Sequence, residues 1–382
     1  MTEFEKRLIG FAQRGELLVC PASAPSVRAE LIRELLLGRH GELDPRGVQL
    51  QAARIKGTFD LDYVTASVGL FLHDCVVDEP VEARYAHLRA LTISGGQCAG
   101  LQAGGVHIDG DLHLDGGLRV DGKRKDGLIV LIGGDIGGDL SLEDVEVTNT
   151  AGAAVQAERI HVNGSVFVRE DVRITGAGWQ GAVNLMSAHI AGDVELSGVR
   201  ITNPTGPALN ADDAHIQSFI VLEKGLRAVG HTRTSAVTLS NANLAMDITL
   251  ASAEITNKNG CGFDASSSKV GGSVTLRTKV KINGHSLDGA IDLAGSRIDG
   301  ELQLEAEVSS SLGPALNANS IEVGKGVHLE RGAQFSGSEA RTGAINLTSA
   351  RISGDLDFVE AVVTNSIGPA VHADQAHVGG RL

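Results

Sequence analysis

The sequence predicts an all-β chain: a single-stranded parallel β-helix solenoid with a short α-helical cap at its N-terminus. Three observations predict it. First, GLIVLIGGDIGGDLSLEDVEVT begins at Gly127, and similar stretches begin at Gly181, Ser235, Gly289 and Gly343, each 54 residues after the last. Self-similarity at a fixed period marks stacked repeats. Second, related stretches fill the gaps, GAAVQAERIHV from Gly152 and GPALNADDAHI from Gly206, so the 54-residue unit is two similar halves. The anchors Ile108, Ile136, Val162, Ile190, Ile216 and Leu244 then step alternately by 28 and 26 residues, which fits one coil of three or four short faces. Third, from about Gly47 apolar residues come in short pairs broken by Gly, Asn or Asp: Phe59 and Leu61, Leu70 and Leu72, Leu91 and Ile93, Leu112 and Leu114. That is strand alternation with sharp bends. Crossover chirality favours right-handed winding.

Residues 1–45 stand outside the repeat. Phe4, Leu8 and Phe11 fall at helical spacing, as do Val27, Leu31, Ile32, Leu35 and Leu36. Pro21 and Pro25 separate the two segments, with Ser26 as the expected N-cap and Gly38 as the expected stop. Two such helices would bury their apolar faces by covering the open end of the solenoid, as capping repeats do. Residues 46–382 are then the solenoid, about 13 coils, with the double-coil repeat explicit from about residue 100.

The bulk numbers exclude some partners. A net charge of −14 keeps a rod soluble and disfavours nucleic acid or an anionic membrane. No run of 18 apolar residues exists, so no transmembrane segment is expected. Peripheral membrane association would need a partner or a C-terminal segment missing from this chain. Cys20, Cys75, Cys98 and Cys261 show no CxxC spacing, and Cys75 and Cys98 read as small core residues stacked about one coil apart. The opening MTEFEKRLIG has acids where a secretory signal needs a basic segment, so the expected location is the cytoplasm.

The run VRAELIRELLLGRHGELDPRGVQLQAARIKGTFDLDYV, followed by GPALNADDAHI and GDVELSGVRITNPTGPAL, resembles a family of bacterial β-helical repeat proteins. Its members are often uncharacterised or labelled "membrane-associated oxidoreductase". The resemblance spans nearly the whole chain and implies the fold. It brings no active site to carry over. Longer members continue into hydrophobic segments.

Several features bear on chemistry. GAGWQG at 176–181 matches GxGxxG, but strand-like sequence follows where a dinucleotide needs a helix N-terminus, and no cofactor is expected. Asp139, Asp193, Asp247, Glu301 and Asp355 hold one position in five repeats, an outward acidic ridge that discourages edge pairing or meets a basic partner. DGDLHLDGG at 109–117 sets Asp109, Asp111, His113 and Asp115 on alternate residues without a Ca²⁺ motif. The 13 histidines are scattered without HxxxH or HExxH, so no metal site is expected. The long turns at 122–126, 176–180, 230–234, 284–288 and 337–342 share one place in the repeat. They carry Lys123, Arg124, Lys125, Trp179, His231, Arg233, His285 and Arg341, a candidate strip for an acidic partner. Asn149, Asn203, Asn257 and Asn365 recur as a column expected to bond its own equivalents. Alternation turns Asn184 outward.

The functional expectation is a non-enzymatic scaffold that presents a repeated surface to a macromolecule or to itself. No catalytic residue is expected. The alternatives are a polysaccharide-binding or polysaccharide-cleaving β-helix, and an acidic DNA mimic. The last coil, GPAVHADQAHVGGRL, stops without a cap. Either the natural protein continues beyond Leu382, which the resemblance favours, or this end is buried against a second molecule. In both cases this chain alone is expected to self-associate around Val371 and Val378.

Overall fold

The computed structural model describes residues 2–21, 26–330, 332–338 and 341–382. Three parallel sheets run its length, one of 26 strands and two of 13 strands each. A coil crosses all three. Val155–Gln156 lies in the second sheet and His161–Val162 in the third, and Val166–Arg169 and Arg173–Thr175 form two rows of the long sheet. The next coil repeats this in register: Val155 faces Val183, His161 faces His189, Val166 faces Val194 and Ile174 faces Ile201. Equivalent side chains therefore stack in columns, one coil apart.

Between the second and third sheets each coil turns through a left-handed residue, with φ between +53° and +66° from Tyr63 to Gln375. Most are not glycine, so each costs strain. A hydrogen bond to the next coil offsets it: the Tyr63 N–H donates to Arg84 O and the Arg159 N–H to Met186 O, both at 2.9 Å. The lumen is filled by Val, Ile, Leu and Ala; Ile136, Ile190, Leu196 and Ile298 are fully buried.

The cap contains two helices, α1 (Glu3–Arg14) and α2 (Ala29–Leu36). Thr2 and Glu5 form a capping box on α1, and Gly38, with φ +69°, follows the end of α2. Leu8, Leu31, Ile32 and Leu35 are buried against the first coils. Two expectations are corrected. Val27 is not helical, because Leu18–Val19 and Val27–Arg28 are strands paired with Val48–Gln51 and Arg54–Lys56. Pairing the long sheet's edge satisfies more backbone than another half-turn of helix would. Nor is Ser26 the N-cap: Arg28 holds that place without a side-chain cap. Pro25 lies outside the described residues. Among the described residues strand Phe59–Asp60 has no strand above it, and α2 covers it; Arg33 Nη1 donates to Asp60 O at 2.6 Å and to its carboxylate at 2.8 Å.

All four cysteines are free and buried. Cys98 faces Val77 rather than Cys75, so the two thiols do not stack on each other. Burial pushes both up to about 11. Among the described residues no helix is long and apolar enough to cross a membrane.

Candidate functional site

The acidic column does not stand out as a ridge. Its members are half-buried, turned into the corner before the long sheet. Asp139 accepts a hydrogen bond from the Ser165 N–H (2.7 Å), Asp193 from Phe219 (3.2 Å), Asp247 from Ser273 (2.7 Å) and Asp355 from Arg381 (2.7 Å), each one coil on. Ser165 and Ser273 pass the pattern on, their hydroxyls accepting from the Asp193 N–H (3.1 Å) and the Glu301 N–H (3.0 Å). Glu301, one carbon longer, accepts instead from Gln303 Nε2 at 2.6 Å. A Cβ at Gly164 would lie 2.2 Å from Asp139 Oδ1, which explains the glycine before the Asp or Ser.

The long turns occupy one corner on alternate coils, roughly 9–10 Å apart at a strand spacing of about 4.8 Å. Lys123, Lys125, Trp179, Arg233, His285 and Arg341 are exposed there, while Arg124 and His231 are half-buried. Glu339 and Ala340 of the last turn lie outside the described residues. A shorter turn sits between each pair, and one of these carries the exposed Lys258. The Asn column holds these turns in place. Asn149 accepts from the Arg124 N–H and donates to Arg124 O, and Asn203 donates to Gly178 O. Asn257 donates to Thr234 O. These side chains bond the neighbouring turn's backbone, not their own equivalents. The GAGWQG motif is one of the long turns and runs into strand Val183–Asn184, so no helix N-terminus meets a pyrophosphate.

Beside the first long turn is a groove of about 510 Å³, walled by Arg84, Tyr85, Arg124 and Arg159 over a floor at Gly105 and Gly133. Tyr63 and Tyr85 stack at 5.4 Å, and a Cβ on Gly105 would lie 2.6 Å from the Tyr85 ring. Tyr85 remains largely exposed along the groove, its ring lying over Gly105 and stacked on Tyr63.

Asn184 is fully buried, against the expectation from alternation. Its row is roofed by a long turn: Asn210 Nδ2 donates to Gln180 O at 2.9 Å. Asn184 Oδ1 accepts from the Met186 N–H, and its Nδ2 finds no partner. Further along this row Asp292 accepts from the Ala294 N–H (3.0 Å) and Asn317 Nδ2 (3.1 Å). Burial, reinforced by the nearby Asp264 charge, pushes its carboxyl up to about 7.

Histidines far apart in sequence come together on the third sheet. The residue opening each strand there is His87, His107, Asp135, His161, His189 and His215 in successive coils. His161, His189 and His215 stack face to face with centroids 4.8 Å apart. His87 and His107 meet edge-on, at 4.5 Å and 82°. Asp109 lies against both, its Oδ1 at 2.8 Å from His87 Nε2 and 3.2 Å from His107 Nε2. The His87 hydrogen bond comes first among the causes that hold the Asp109 carboxyl below the usual range. On the other side of its ring, His107 Nδ1 lies 3.0 Å from Asp135. Sequence reasoning missed this cluster. The signal was the residue just before each anchor Leu, Ile or Val. From the DGDLHLDGG motif only Asp109 joins it; Asp111 accepts the Asp139 N–H (2.9 Å), and His113 lies between Asp111 and Asp115 at 3.5 and 3.9 Å.

No known family, curated protein or solved structure matches this chain.

Proposed function

We propose that this chain is a non-enzymatic scaffold: a rigid rod that presents repeated columns to a macromolecular partner and joins a second copy through its last coil. One observation carries the reading. Large exposed apolar side chains concentrate near that coil, at Phe358, Val359, Val362, Ile367 and Leu382, beside half-buried Val371 and Val378. The long turns, with Lys123, Arg124, Lys125 and Trp179 at their tips, supply a separate contact for an acidic partner.

The rival readings have less to rest on. A polysaccharide site would use a run of aromatic platforms, and the most exposed rings here are few: Tyr63, Tyr85 and Trp179. A DNA mimic would use the acidic column, whose aspartates are half-buried and hydrogen-bonded to backbone. Membership of the bacterial β-helical family rests on the quoted runs of sequence, and a cytoplasmic setting on the four free thiols.

The test is sedimentation of the untagged chain over a range of concentrations. Wild type is expected to associate, and Val371→Lys with Val378→Lys to be monomeric with an unchanged melt. Lys123→Ser, Arg124→Ser and Lys125→Ser together are expected to leave this association intact. A wild type that stays monomeric at the highest concentration overturns the reading.

A further inference from the structure

Among the stacked histidines one pair is arranged differently. The rings of His161, His189 and His215 lie within 8° of parallel, so their nitrogen lone pairs point side by side. Those of His87 and His107 cross at 82°, and both Nε2 atoms approach one oxygen of Asp109. Donors bound to one zinc-like ion at about 2.0–2.1 Å lie about 2.9–3.4 Å apart, depending on the angle between them. The Nε2–Oδ1 separations here are 2.8 and 3.2 Å, and one donor atom from each of the three residues lies within 4.8 Å of the other two.

A second observation points the same way. His107 has a carboxylate at each ring nitrogen, Asp135 at Nδ1 and Asp109 at Nε2. A neutral imidazole carries a single N–H. Where that proton goes from Nδ1 to Asp135, Nε2 is left to face the Asp109 oxygen, and either a second proton or a metal ion completes the contact. A carboxylate fixing the far nitrogen of a ligating histidine is the usual support of a bound metal. By register, the nearest arginine is Arg89, one coil before Asp109, and it makes no ion pair with Asp109 among the described residues.

We propose that His87, His107 and Asp109 form a surface site for a divalent transition-metal ion of the zinc type, with Asp135 positioning the His107 ring. Nitrogen donors plus one carboxylate select such an ion over Ca²⁺ or Mg²⁺, which take oxygen ligands. The side chains are about half exposed, so water completes the coordination. The ion ties two adjacent coils together. This inference does not depend on the scaffold reading.

The experiment titrates the untagged, full-length chain with Zn²⁺ by calorimetry and with Co²⁺ by visible absorption. One ion per chain is expected, with Co²⁺ bands showing nitrogen coordination. His87→Ala and His107→Ala are each expected to lose at least about tenfold in affinity, and Asp135→Asn to lose about tenfold. His189→Ala, in the parallel stack, is expected to bind as wild type does. Circular dichroism confirms that each variant is folded. If wild type binds neither ion up to millimolar concentration, only a proton bridges His107 and Asp109 and the proposal fails. It fails equally if His87→Ala and His107→Ala bind as wild type does, or if His189→Ala removes binding. None of these outcomes bears on association through the last coil, which is read by sedimentation.

Discussion

Asp139 Oδ1 accepts a hydrogen bond from the backbone N–H of Ser165, 2.7 Å away on the following coil. Ser165 Oγ in turn accepts from the Asp193 N–H at 3.1 Å, so side chain and backbone alternate up the corner of the rod. The strands on either side pair coil to coil, but the corner bends away from the ladder, and its amides need another acceptor. The Asp and Ser side chains supply it.

Removing one such acceptor is therefore expected to cost stability rather than binding. Asp247→Ala leaves the Ser273 N–H without its charged partner, a loss of about 1–3 kcal/mol. Asp126→Ala, on an exposed turn, is expected to stay within about 0.5 kcal/mol of wild type. Equal melts for the two variants would return the column to a surface role.

Burial sorts a second set of substitutions. Ile190→Asp, Leu196→Asp and Ile298→Asp each place a charge in the lumen and are expected to unfold several coils. Asn184→Asp is expected to join this class, because the side chain lies beneath a turn with no donor to spare for a carboxylate beyond the Met186 N–H. Urea unfolding monitored by circular dichroism decides it; a wild-type midpoint for Asn184→Asp would mean that the roof opens freely.

Asp292 makes stability depend on pH. Its carboxyl stays protonated up to about pH 7 in the folded chain, against an ordinary value of 3.8. The unfolded chain loses that proton first, so the Asp292 contribution is full below about pH 4, falls as pH rises to about 7, and is level above that. Asp292→Asn removes the dependence. It is expected to match wild type at pH 4 and to be more stable at pH 8, by at most roughly 4 kcal/mol. A stability difference that does not change between the two pH values would show that the carboxyl is ionised throughout.

The repeat of 54 residues determined the architecture, because parallel in-register stacking demands the same residue class at the same place in every coil. Alternation within two- to four-residue strands likewise determined that Ile190, Leu196 and Ile298 face the lumen, since successive side chains point to opposite faces. Alternation failed at Asn184, and helical spacing at Val27, for one reason. Each pattern describes a single segment and is blind to what lies over its outer face or along its edge, here a long turn and the open side of the first coil. The same limit hid the metal candidate. His87, His107 and Asp135 lie 20 and 28 residues apart, unequal steps that no linear motif records. Only coil-on-coil register places them in one column, and only side-chain packing decides that one histidine pair crosses while the next three lie parallel.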